Sequence, residues 1–96
     1  MSRKTILERV REMTQQARER EAEKLMTLEV VKEAISEAAR QGYSRAVIAP
    51  AKSLDLTKTE TANATVAQLQ KEGFRTEWEV RLQPDNTSYQ ALVVSW

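Results

Sequence analysis

The sequence predicts an α+β protein in which a long N-terminal helix precedes a two-layer β-α-β-β sandwich with a three-stranded mixed sheet of order 1-3-2. Three observations predict this fold class. Residues 1–41 contain neither glycine nor proline, residues 74–82 alternate between apolar and polar side chains, and residues 89–96 carry apolar side chains on both faces. The first pattern is typical of helix, the second of a strand with one solvated face, and the third of a central strand.

The N-terminal segment is rich in glutamate, arginine, lysine, glutamine and alanine, which favour helix. Seven of ten heptad a and d positions counted from Leu7 are apolar, although residues 14–24 are polar on all sides. We expect one long helix with a weak neck, or two collinear helices with Thr27 capping the second, and Gly42 as the stop. The ten positions are Leu7, Val10, Thr14, Ala17, Glu21, Lys24, Leu28, Val31, Ile35 and Ala38.

The remaining elements follow from shorter signals. Residues 44–49 predict a strand that Pro50 stops, and Thr57 to Glu60 has capping-box spacing, with Thr57 as the N-cap of a helix over 58–72. The strand over 74–82 and the turn at 84–86 lead to the final strand, 89–96. We expect strands 1 and 2 to be parallel, with strand 3 between them and antiparallel to both. The predicted inward face of strand 2 carries Phe74, Thr76, Trp78, Val80 and Leu82.

The N-terminal helix predicts self-association. A helix over residues 4–41 would be about 57 Å long, whereas a strand of eight residues spans only about 26 Å. The first half of the helix therefore extends past the sheet, and yet it carries an apolar stripe. We expect residues 1–27 to be a helical extension that forms a homo-oligomer, and residues 28–96 to be the globular domain; a hairpin folding back near residues 22–27 is the alternative. The predicted interface residues are Ile6, Leu7, Val10, Met13 and Ala17.

The composition excludes most catalytic chemistry. The chain has no histidine and no cysteine, so disulfides, structural zinc and nucleophile–histidine pairs are ruled out. Glu77 and Glu79 share a strand face with Arg75 and Arg81, which is typical of a solvated, charge-balanced surface. Gly42 and Gly73 are the only glycines, so there is no phosphate-binding glycine loop. We predict no enzymatic activity, no catalytic residue, no cofactor and no metal site.

Binding of nucleic acid or membranes is not predicted either. The net charge is +1, residues 1–42 hold nine basic and eight acidic residues, and residues 43–96 hold six of each, so neither half hides a basic patch. No apolar run approaches the roughly 20 residues of a membrane span, and the N-terminus resembles no signal peptide, so we expect an intracellular protein that is not secreted. One candidate anion site surrounds the N-terminus of the helix predicted over 58–72, and ordinary helix capping is the alternative interpretation. The residues of this candidate site are Lys52, Ser53, Thr57 and Lys58.

From about residue 28 onward the chain resembles small α/β proteins of tailed-phage genomes. The matching segments are residues 33–44 (EAISEAARQGYS), 66–78 (VAQLQKEGFRTEW) and 93–96 (VVSW). The resemblance implies a virion-associated or accessory protein, located in the host cytoplasm or in the particle, and it carries over no functional residue. We therefore expect a non-enzymatic structural or interaction protein, a virion component assembling through its N-terminal helix. The alternative is an accessory protein that binds a host factor, a nucleotide or nucleic acid.

Overall fold

The computed structural model describes residues 5–50 and 54–96, and it confirms the α+β class. Within those ranges the chain forms three helices and three strands. In chain order they are α1 (Ile6–Leu25), α2 (Leu28–Arg40), β1 (Arg45–Ile48), α3 (Glu60–Lys71), β2 (Arg75–Leu82) and β3 (Ser88–Ser95).

The N-terminal segment forms two helices rather than one. The peptide N–H of Met26 closes α1 on the carbonyl of Ala22, and the Thr27 hydroxyl accepts the N–H of Val30 at 3.4 Å as the N-cap of α2. The heptad pattern therefore spans two elements. Its C-terminal positions, Val31 and Ile35, pack in the core of the chain's own domain.

The strand order is β1-β3-β2, as predicted, with β3 in the centre. Both pairings are antiparallel, so the expected mixed sheet is wrong. β1 and β2 do run in the same direction, but β3 lies between them and they share no hydrogen bonds. A mixed sheet would need a hydrogen-bonded parallel pair, and this order leaves none.

The core lies on one face of this sheet. Ile48, Leu92 and Trp78 stand in one row across the three strands, and they pack with residues of all three helices. α2 packs against β1, and α3 packs against β2. Phe74, which precedes β2, also packs on the core. Farther along the predicted inward face, Val80 and Leu82 are exposed, because β2 runs on past the part of the sheet that the core covers.

The start of α3 differs from the prediction. Thr59, not Thr57, is the N-cap, and its hydroxyl accepts the N–H of Ala62 at 3.3 Å while donating to the carbonyl of Leu56 at 2.7 Å. The hydroxyl of Thr57 donates instead to Oδ1 of Asp55 at 2.5 Å. The capping-box spacing was misleading because a second threonine, two residues later, lies nearer the first helical residue and is buried.

Candidate interaction surface

The N-terminal half of α1 carries an exposed apolar stripe. Ile6, Leu7, Val10 and Met13 keep between 50% and 82% of their surface in solvent, and Ala17 is exposed as well. All five predicted interface residues therefore lie on surface that the described part of the chain leaves uncovered. A run of large apolar side chains left in water on one helix is typical of a surface that binds another protein.

The stripe faces away from the domain. At about 100° of rotation per residue, Ile6, Val10, Met13 and Ala17 lie within about 60° of one another around the helix axis. The centre of this arc is about 150° from Ala22, which is fully buried in the core. The core of the chain's own domain therefore lies on the opposite side of the helix. Within residues 5–50 and 54–96, no other part of the chain covers the stripe.

The C-terminal half of α1 is anchored to the domain, mainly through α3. The side chain of Gln15 donates to the carbonyl of Lys58 at 3.4 Å, and a carboxylate oxygen of Glu19 accepts the N–H of Glu60 at 2.6 Å. Near the end of α1, Ala22 and Met26 are fully buried. These contacts fix the helix direction from residue 15 onward, and most of the stripe lies on the turns of α1 that precede them. The domain boundary at residue 27 stays a prediction, although Ala22 and Met26 pack in the core.

The predicted anion site is only partly within the described residues. Lys52 and Ser53 lie outside them, the hydroxyl of Thr57 donates to Asp55, and Lys58 is exposed. Glu19 places its carboxylate on the first N–H of α3, the position where an anion was expected. That these four residues form a ligand site stays a prediction. The Glu19 carboxylate of the same chain already accepts a hydrogen bond at this helix N-terminus. This contact joins residues 41 positions apart, and no local sequence signal indicates it.

Other charged groups of the described part of the chain form a solvated surface. Arg81 lies 3.6 Å from Glu79 on β2, Lys32 lies 3.4 Å from Glu72, and no group of three acidic side chains there could hold a metal ion. None of the described helices combines the length and the apolar character needed to cross a membrane.

Comparison of the chain with protein-family models, with curated protein sequences and with solved structures gives no significant match. Function is therefore inferred from the exposed surfaces and contacts of the chain itself.

Proposed function

We propose that this chain is a non-enzymatic structural protein that assembles with further copies of itself through α1. The orientation of the stripe carries the proposal: large apolar side chains lie on a helix whose C-terminal half is anchored to the domain, and they face away from that domain. A helix that merely packs on its own sheet would turn its apolar side inward.

A second copy of α1 fits the stripe in an antiparallel arrangement. The apolar positions 6, 10, 13 and 17 are spaced by four, three and four residues, a series that reads the same in both directions. A partner helix running the opposite way therefore sets Ile6 against Ala17 and Val10 against Met13. Each large side chain then meets a smaller or more flexible one, which favours close packing. Between the ends of the stripe the helix holds two glutamates and two arginines. This segment therefore has no net charge that would repel a second copy.

The size of this contact predicts weak association. The stripe is about 17 Å long, and three helical turns bury less area than the 1,200–2,000 Å² or so of a standard stable interface. We therefore expect copies to associate measurably at high protein concentration. Where many copies are held close together, the effective concentration strengthens such a contact.

Val10→Asp tests the proposal. Each dimer would lose two buried valine contacts of about 1.5 kcal/mol each, and it would bury two charges, so the dissociation constant should rise by at least about 100-fold. Sedimentation equilibrium over a range of concentrations measures this change.

The matched control is Gln16→Asp, which introduces the same charge at an exposed position of α1 outside the stripe. It should associate as the unaltered chain does. A chain that stays monomeric at millimolar concentration, or a control that dissociates as fully as Val10→Asp, would refute assembly through this stripe.

The resemblance to small tailed-phage proteins supports a more specific role, that of a virion component present in many copies. In this role α2 and α3 would cover one face of the sheet as a two-layer unit, and α1 would join neighbouring units. The alternative, an accessory protein that binds a host factor, a nucleotide or nucleic acid, would use the same exposed helix or the opposite face of the sheet.

A further inference from the structure

β1 and β2 are the two edges of the sheet, and the outer side of each pairs with no other strand within residues 5–50 and 54–96. One hydrogen bond beside β1 shows which of its peptide groups lie on that outer side. The N–H of Trp96 donates to the carbonyl of Ser44 at 3.0 Å, just before β1 begins. Hydrogen-bonded and non-bonded residues alternate along an antiparallel pair. Every second residue from Ser44 onward therefore directs its peptide groups to β3, whereas Arg45 and Val47 direct theirs outward.

Charges protect the edge at β2 from pairing with a second copy. Trp78 packs on the core, so its neighbours along β2 point to the opposite face of the sheet. The charged residues on that face, in an order that reads the same in both directions, are Arg75, Glu77, Glu79 and Arg81. An antiparallel copy centred on Trp78 sets arginine against arginine, and one centred on Glu77 or Glu79 sets two glutamates together. Like charges directly opposite one another destabilise a strand pair, and charged edges prevent edge-to-edge association.

The edge at β1 has less protection. Arg45 is the only charged residue of this strand, and it occupies the first position. A groove of about 340 Å³ lies between β1 and α2, and it is lined in part by the small side chains of Ala34, Ala38 and Ala46. Val47, at the same edge, keeps 40% of its surface in solvent. β1 therefore presents outward peptide groups beside a groove that leaves space for a further strand.

We propose that β1 pairs with β1 of a second copy in the antiparallel direction, which joins two three-stranded sheets into one. If Ala46 lies on the two-fold axis, Arg45 of each copy stands opposite Val47 of the other. The outward N–H and C=O groups of these two residues then form four hydrogen bonds between the copies. Centring the pair on Arg45 would oppose two arginines. Centring it on Val47 would set Arg45 against Ala49, beyond the end of β1.

Charge and shape favour a second copy as the partner. In this register each Arg45 lies opposite a valine, so no like charges stand opposite each other. Both copies carry α2 on the same face of the joined sheet, where Ala34 and Ala38 leave space beside the edge. Four strand residues from each copy bury less area than the 1,200–2,000 Å² or so of a standard stable interface. We therefore expect this contact to be weak on its own.

The β1 contact extends the assembly proposed above. The contacts through α1 and through β1 each have their own two-fold axis, so a copy that makes both is joined to two neighbours. This linking rests on the proposed assembly through α1, whereas the β1 contact itself rests only on the edge of the sheet.

Val47→Pro tests the β1 contact. Proline removes the outward N–H of residue 47 but no hydrogen bond within the sheet, and proline is tolerated where the nitrogen of an edge strand faces solvent. The test uses the full chain carrying Val10→Asp, so that the contact through α1 is already lost. This chain should still associate at millimolar concentration, and adding Val47→Pro should raise the dissociation constant at least about 10-fold in sedimentation equilibrium.

Val80→Pro is the matched control on the other edge. The N–H of Gln83 donates to the carbonyl of Thr87 at 2.8 Å, and the same alternation directs the peptide groups of Val80 outward from β2. Adding Val80→Pro to the Val10→Asp chain should leave the dissociation constant unchanged. Dispersed NMR spectra will show whether each variant is folded.

Amide hydrogen exchange tests the same contact without a substitution at the edge. The N–H groups of Arg45 and Val47 should exchange at least about 3-fold more slowly at millimolar than at micromolar protein, while that of Val80 should not change. The proposal fails if this exchange does not depend on concentration, if folded Val47→Pro associates as before, or if Val80→Pro weakens association equally. Assembly through α1 is judged separately, by comparing Val10→Asp with the unaltered chain.

Discussion

At the scale of single residues, the chain uses the same short turn twice. Asp55 and Asp85 are each followed two positions later by a threonine whose N–H and hydroxyl both donate to Oδ1 of the aspartate. The hydroxyl of Thr57 holds the pKa of Asp55 below its ordinary value of 3.8, with help from the nearby charge of Arg18. The hydroxyl of Thr87 lowers the pKa of Asp85 in the same way. In both turns the ionised carboxylate accepts these hydrogen bonds more strongly than the neutral acid does, which is why the pKa falls.

Asp55→Ala should lower the free energy of unfolding by about 1 kcal/mol at pH 7, because two hydrogen bonds to a charged, half-buried acceptor are lost. A carboxyl whose pKa is lower in the folded state stabilises the fold above its unfolded value of 3.8, and this contribution disappears as pH falls through the folded pKa. The difference in free energy of unfolding between Asp55→Ala and the unaltered chain should therefore become smaller below about pH 4. Urea unfolding at several pH values measures it.

Asp85→Ala is the matched control, since the same turn there is exposed to water. Asp85→Ala should also lower the free energy of unfolding, but by less than Asp55→Ala does. An effect of Asp55→Ala that is as large at pH 3 as at pH 7 would contradict a role for the ionised form.

At the scale of elements, one buried hydroxyl joins the break between α1 and α2 to α3. Thr65, on α3, donates to the carbonyl of Met26 at 2.6 Å, and both residues are buried. The last carbonyls of a helix have no partner within that helix, so an unpaired one in the core would be costly. This contact explains why the chain can end α1 inside the protein and begin α2 in the next turn.

Thr65→Val should lower the free energy of unfolding by about 1–3 kcal/mol, since the shape is kept while the Met26 carbonyl loses its donor. The urea midpoint measures the change. Thr61→Val, on the same helix, removes only a 3.5 Å contact to Glu19 and should cost less than half as much. Equal losses in the two variants would mean that valine disfavours α3 generally and that the Met26 carbonyl is not the cause.

At the scale of the whole molecule, the proposed assembly through α1 would join many copies of the domain. The proposed virion role predicts many copies of this chain in each purified particle, which quantitative mass spectrometry would measure. Particles carrying Val10→Asp should contain fewer copies, whereas those carrying Gln16→Asp should not. Absence from particles, together with recovery of a soluble partner from infected cells, would instead support the accessory role.

Features that depend on neighbours along the chain can be predicted from the order of residues. Strand alternation over 74–82, the two-sided apolar character of β3 and the apolar stripe of α1 are local patterns, and they predicted the class, the strand order and the exposed surface. The residues around the helix break are compatible with one helix or two, because helix formers continue through position 26 while Thr27 can also act as an N-cap.

Contacts between residues that are distant in sequence follow from the packing of the folded chain. Glu19 reaches the start of α3 across 41 positions, and Arg45 and Arg75 share one row of the sheet only because β3 pairs with both outer strands in a fixed antiparallel register. Shifting either pairing by one residue would move its arginine out of the row and reverse the face of every side chain on that strand. Local periodicity indicates which side chains form an apolar face, whereas the packing of the three-stranded sheet determines which side chains lie next to one another.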